Sequence, residues 1–407
     1  MKNWFRNIGP GPLVAAAFIG PGTVTVCTLA GVNFGYALLW AMVLSIFATV
    51  VLQEMAARLG IVSQKGLSEV IREEIKNPFI KGFSVVLILS AIVVGNAAYE
   101  AGNISGGALG LETILGSLSV SIVGLELRIL PLLIGLVAFV LLYLGNYKVI
   151  ERALVVMVIL MSLSFLITAI MTKPNLSAVF KNMILPNFPE KSILTIVGII
   201  GTTVVPYNLF LHASLAKTKW HSKSDITFAR KDTIIAVVLG GIVSICIIIS
   251  ASAIQTENIT SAADLAKGLE PLFGVNAKYF LSIGLFAAGI TSSITAPLAA
   301  AYVATGCLGW KADLKSLPFR AVWMFIVLLG VVFSSIGFKS IEIIKFAQVA
   351  NGLLLPIIAG FLLWVVNKSS VLGTYKNSKV QNLLGVIILL ITIFLGMKGI
   401  LNVFNII

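Results

Sequence analysis

Ala17-Phe18-Ile19-Gly20-Pro21-Gly22-Thr23-Val24-Thr25 and Gly201-Thr202-Thr203-Val204-Val205-Pro206-Tyr207-Asn208 are the two stretches on which the reading of this chain turns. Each sets a proline near the middle of an apolar run of membrane length. Pro21 and Pro206 remove a backbone donor, and Gly20 and Gly22 let the chain beside the first leave helical geometry. A single proline in a transmembrane helix is ordinarily a kink whose freed carbonyl finds a neighbour. Two interruptions at corresponding places in two halves of a chain point instead to a transporter site at the membrane midplane.

The runs around them set the architecture. A hydrocarbon core about 30 Å thick needs about 20 helical residues to cross it. Apolar runs between charged or turn-rich breaks predict about eleven spans. They cover roughly 12–30, 36–58, 82–108, 128–146, 152–172, 193–217, 232–254, 279–306, 320–337, 342–366 and 383–405. The interrupted runs are spans one and six. An offset of five makes them run in opposite directions, as an inverted repeat of five helices requires. The expected fold is an all-α integral membrane bundle in one domain, 1–407, with spans one and six unwound at mid-membrane. Its repeats cover about 10–172 and 190–366, and an extra helix covers about 383–405.

Composition agrees. Of 407 residues, 58% are hydrophobic and 11% charged, against about 25% charged in soluble domains. A water-soluble enzyme and a disordered chain are both excluded. The net charge of +13 would suggest nucleic acid in a soluble protein. Here the basic residues fall in short segments between spans, so they report topology, and no nucleic-acid partner is expected. With the N-terminus in the cytoplasm, Arg58, Lys65, Arg72, Lys217, Arg230 and Lys376 gather on the inner side, and an odd span count puts the C-terminus outside. The basic stretch from Lys217 to Lys231 is expected to meet anionic lipid. No cleavable leader is visible, since Gly9-Pro10-Gly11-Pro12 opens the first run. A plasma-membrane protein without a cofactor, plausibly a monomer, is expected. Cys27, Cys246 and Cys307 lack the spacing of a disulfide framework or zinc site. Two histidines, no nucleotide-binding motif and no hydrolytic triad pattern leave a carrier ahead of a channel or a flux-free sensor, and no enzyme.

With these segments placed, the chain resembles the NRAMP family of divalent-metal transporters. Leu52-Gln53-Glu54-Met55-Ala56-Ala57-Arg58-Leu59-Gly60 in span two is similar to the family's Leu-Gln-x-x-Ala-Ala-Arg-Leu-Gly. Gly145-Asn146-Tyr147-Lys148 resembles the start of its fifth helix, and Asn208-Leu209-Phe210-Leu211-His212-Ala213-Ser214 the end of its sixth. Gly289-Ile290-Thr291-Ser292-Ser293 resembles its eighth, and Ala347-Gln348-Val349 with Pro356 its tenth. The resemblance covers nearly the whole chain and implies a LeuT-like fold. Its departures are equally specific. The family's first break is Asp-Pro-Gly-Asn, whose Asp and Asn bind metal; Gly20 and Thr23 stand there in this chain. The family's sixth-helix break is Ala-x-x-Met-Pro-His; this chain has Thr202-x-x-Val205-Pro206-Tyr207. The third helix, where the family has acidic residues for proton passage, reads Asn96-Ala97-Ala98-Tyr99-Glu100.

Those losses set the expectation for the substrate. Without a ligand carboxylate, sulfur or histidine at the breaks, transport of manganese or iron is not expected. The residues expected to bind substrate are Gly20, Gly22, Thr23, Thr202, Thr203, Val205, Tyr207, Gln348 and Asn351. Hydroxyl donors and exposed half-helix N-termini suit a small anion such as bicarbonate. Because the membrane potential opposes anion entry, a coupling Na⁺ is expected at Thr291 and Ser292. The alternative is a hard divalent cation, Mg²⁺, weakly or not proton-coupled, with Glu100 supplying charge and Gln348 and Asn351 neutral oxygens. His212, a lone intramembrane histidine, is a candidate proton relay.

Overall fold

The structure, a computed structural model, describes residues 19–122, 125–145, 148–254, 259–311 and 313–403. The first half of span one, with Ala17 and Phe18, and Asn146-Tyr147 lie outside the described residues. Nine described helices are long and apolar enough to cross a membrane. The helix Ile129–Leu144 and the half-helix Pro21–Phe34 complete the series, so helices stand at all eleven expected places.

Helix ends follow local chemistry. Span three runs from Pro78 to Leu115, well beyond its expected limits. Asn77 accepts from the N–H groups of Phe79 and Ile80 at 3.0 and 3.2 Å, and Pro78 opens the first turn. Gly116, at φ 79°, closes it in a conformation that favours glycine. At 1.5 Å per residue these 38 residues reach about 57 Å, longer than a hydrocarbon core is thick.

Span three is the central post. It lies against span eight, Ala277–Leu308, through small residues that let backbones touch. A Cβ at Gly289 would stand 2.6 Å from Gly107 Cα, and one at Gly110 would stand 2.4 Å from the Ser282 carbonyl oxygen. Asn96 Nδ2 donates to Ala296 O at 2.9 Å across the same seam. Leucines and isoleucines on spans four, five, nine and eleven, such as Leu136, Ile170, Leu328 and Leu383, stay exposed, as a lipid-facing rim requires.

One element departs from an all-helical reading. Ser119–Ile122 (β1) pairs antiparallel with Leu125–Arg128 (β2), Ser119 opposite Arg128. Arg128 then donates to Phe338 O at 3.0 Å and Ser340 Oγ at 2.6 Å and pairs with Glu112. The hairpin thus ties the end of span three to the start of span ten. At the opposite end of the bundle, buried Arg58 pairs with Glu54 at 3.3 Å and donates to Tyr375 O at 2.5 Å and Asn377 Oδ1 at 2.6 Å. Arg230 of span seven also reaches Glu54, at 2.8 Å.

Candidate functional site

Each proline opens a helix, as its local chemistry predicts. Gly20 is extended, at φ −102° and ψ −174°, and the helix Pro21–Phe34 starts directly after it. In span six the helix Ile193–Thr203 stops at Val204 (φ −92°, ψ 71°) and Val205 (φ −75°, ψ 123°). Pro206 starts the second half-helix, Pro206–Lys219. Val204 N–H still reaches Ile200 O at 2.8 Å. The Thr202 carbonyl has no following helical N–H because Pro206 has none to give, and those of Gly201 and Thr203 lose theirs because Val204 and Val205 leave helical geometry. A carbonyl end and two half-helix N-termini therefore meet at mid-span, with partial charges of opposite sign.

The two breaks touch. Thr23 Oγ1 and Thr202 Oγ1 share a hydrogen bond of 2.7 Å. Span ten closes over them through glycines. A Cβ on Gly22 would lie 2.1 Å from Gln348 Nε2, and one on Gly201 would lie 1.9 Å from Gln348 O and 2.5 Å from Gly352 N. Span three completes the wall, with Gly106 against Pro21. The Tyr99 ring stands edge-on to Tyr207 at 5.3 Å. Gln348 Oε1 and Asn351 Nδ2 are buried without a hydrogen-bond partner among the described residues. Gly20, Gly22, Thr23, Thr202, Tyr207 and Gln348 are thus gathered at one junction, and Val205 lies buried in its backbone.

Other expected residues face elsewhere. Thr203 donates back to Ile199 O at 3.0 Å and toward Met42 Sδ at 3.8 Å, so it belongs to the contact with span two. The Thr291 hydroxyl donates to Ala287 O at 2.8 Å, within its own helix, which leaves the lone pairs of its oxygen uncommitted. Ser292 is buried, its hydroxyl unpartnered among the described residues. Glu100 stands on the seam with span nine, beside Asn103 of its own helix. Its stem lies against Gly330 of span nine, 2.4 Å from where a Cβ there would be, and Asn103 Nδ2 donates to it at 3.5 Å. The helical period is the reason. Tyr99, Gly102 and Gly106 share the face toward spans one, six and ten, while Asn96, Glu100 and Asn103 share the face toward eight and nine.

His212 lies in the second half of span six, its Nδ1 2.7 Å from Gln53 Oε1 of span two. Sequence reasoning missed Gln53 as a partner, although an amide in an apolar span is itself a signal. Among the described residues no three His, Cys, Asp or Glu side chains come together as a metal cage. The junction offers hydroxyl, amide and backbone oxygens instead.

Residues 11–402 match the family described as natural resistance-associated macrophage protein-like. The chain belongs to that family. It is 28% identical over 386 residues to the divalent metal cation transporter MntH of Verminephrobacter eiseniae, covering 91% of this chain and 83% of that one. Its fold is similar to the manganese transporter of Eremococcus coleocola, solved with an aromatic bis-isothiourea compound, at a TM-score of 0.77 and 22% identity over 98% of this chain and 87% of that one. It is also similar to MhsT in complex with L-phenylalanine, at a TM-score of 0.57 and 15% identity over 96% and 98%. A mostly helical membrane transporter with a LeuT-like fold is thereby established.

The same findings overturn the expected substrate. Sodium-coupled bicarbonate uptake, and the exclusion of manganese and iron, fail against relatives named as divalent metal cation transporters and a manganese transporter of the same fold. The error was to demand a charged or soft ligand. Carbonyl oxygens and water also serve Mg²⁺ and Mn²⁺.

Proposed function

We propose that this NRAMP-family chain is a secondary carrier of divalent metal cations, holding the ion partly hydrated between the breaks of spans one and six. The observation that carries this reading is the cluster of neutral oxygens at the junction: the Thr23 and Thr202 hydroxyls 2.7 Å apart, Gln348 Oε1 buried without a partner among the described residues, and the open carbonyls at the end of Ile193–Thr203. Hard cations take such ligands and keep several waters. Both Mg²⁺ and Mn²⁺ suit the set, and Val205 offers no sulfur to prefer a softer metal. Spans one to five and six to ten act as inverted repeats around this fixed point. The cytoplasmic side is the end bearing Arg58, Lys65 and Lys217, in a plasma membrane, and a single chain suffices for transport.

Uptake of Mg²⁺ and Mn²⁺ into proteoliposomes tests this. Both ions are carried, and Thr23→Val and Gln348→Leu each lower uptake about ten- to a hundredfold, the equivalent of about 1.5–3 kcal/mol for a hydrogen bond or dipole contact to a charge. No carboxylate or imidazole stands at the junction, so an imposed pH gradient leaves the rate of Mg²⁺ uptake nearly unchanged. Absence of uptake of either ion by the unaltered protein sinks the proposal.

A further inference from the structure

The inner half of span six carries polar groups that the central junction does not use. His212 and Asn208 lie one turn apart on the same helix, and both are fully buried, as is Gln53 opposite them. His212 Nε2, both amide atoms of Asn208 and Gln53 Nε2 lack a hydrogen-bond partner among the described residues. Each such group left unmatched costs about 1–3 kcal/mol. Two of the four, His212 Nε2 and Asn208 Oδ1, are acceptors, four residues apart on one helix, and a cation would match both.

The one contact that is made sets the chemistry. Gln53 Oε1 accepts from His212 Nδ1 at 2.7 Å. The proton is then on Nδ1, and Nε2 presents a lone pair. A metal-ligating histidine has this arrangement, its second nitrogen held by an outer partner that fixes tautomer and ring orientation. Asn208 Oδ1, a neutral oxygen at i−4, lies within reach on the same face. His212 lies six residues beyond Pro206, about 9 Å along the helix axis from the break.

We propose that His212 and Asn208, with Gln53 as positioning residue, form a second, transient cation site on the inner side of the span-six break. This rests on the reading that a divalent cation passes the junction. It assigns the inner step a preference the junction lacks: imidazole suits Mn²⁺, Fe²⁺, Co²⁺ and Zn²⁺, whereas Mg²⁺ favours oxygen. Weak binding at successive places is what passage requires, since an ion held too firmly would not leave.

The test uses the full chain in lipid nanodiscs loaded with Mn²⁺, read by electron spin-echo modulation, and the same protein in proteoliposomes. Imidazole-nitrogen modulation on Mn²⁺ is expected in the unaltered protein and in His221→Ala, whose histidine lies on an exposed connection. It disappears in His212→Gln. Mn²⁺ uptake in that variant falls about tenfold while Mg²⁺ uptake changes less than twofold, and Asn208→Leu slows both ions. Mn²⁺ uptake by the unaltered protein without nitrogen modulation overturns the inner site and leaves the central one standing. An equal fall for Mn²⁺ and Mg²⁺ in His212→Gln also overturns it, since that is the behaviour of a packing residue. No uptake of either ion by the unaltered protein overturns both.

Discussion

At Gly22 and Gly201 the absence of a side chain does two different jobs. The atom that a Cβ on Gly22 would strike is the Gln348 amide nitrogen, at 2.1 Å, the end of a flexible side chain. Gly22→Ala therefore turns Gln348 aside, and uptake should fall by about tenfold with little loss of stability. The atom that a Cβ on Gly201 would strike is the Gln348 carbonyl oxygen, at 1.9 Å, which belongs to a helix backbone. Gly201→Ala should destabilise by about 1–3 kcal/mol, read as a lower unfolding temperature in detergent. If the two variants behave alike, the distinction between a ligand contact and a helix contact is wrong. Neither partner was legible locally, because Gln348 approaches from more than a hundred residues away along the chain.

Among the elements, span six carries the break most fully described. Thr203 ends one half-helix and Pro206 starts the next, with two non-helical residues between them. Proline enforces this by withholding the N–H that would bond the Thr202 carbonyl. Pro206→Ala restores that donor, so slower hydrogen exchange across Val204–Asn208 and a fall in uptake of about tenfold are expected. Unchanged exchange would mean that surrounding helices, not proline, hold the break open. Proline is read from a single position, which is why both breaks were visible in the sequence. The β1–β2 hairpin was not: its strands have four residues each, too short for a period to declare itself. The face of Glu100 was also missed, since one residue separates the face toward Tyr207 from the face toward Gly330.

For the whole molecule, the two arginine clusters hold opposite ends of span ten. Arg128 ties its start to span three, and Arg58 ties the loop beyond its end to span two. Arg58 is buried and Arg230 is half exposed, at 48%. Arg58→Gln leaves Tyr375 O and Asn377 Oδ1 without this donor and Glu54 with Arg230 alone, and should cost about 1.5–3 kcal/mol. Arg230→Gln should cost about 0–1 kcal/mol. Thermal unfolding of the two variants side by side measures the difference, and equal losses would remove the buried cluster as a structural tie. Span number and the two proline breaks came from local chemistry: each depends on a run of apolar residues or a missing N–H within a few positions. Which threonine joins the junction, where Glu100 faces and what His212 meets were settled by packing. Helices turn about 100° per residue, so neighbours in sequence look in different directions until other spans close around them.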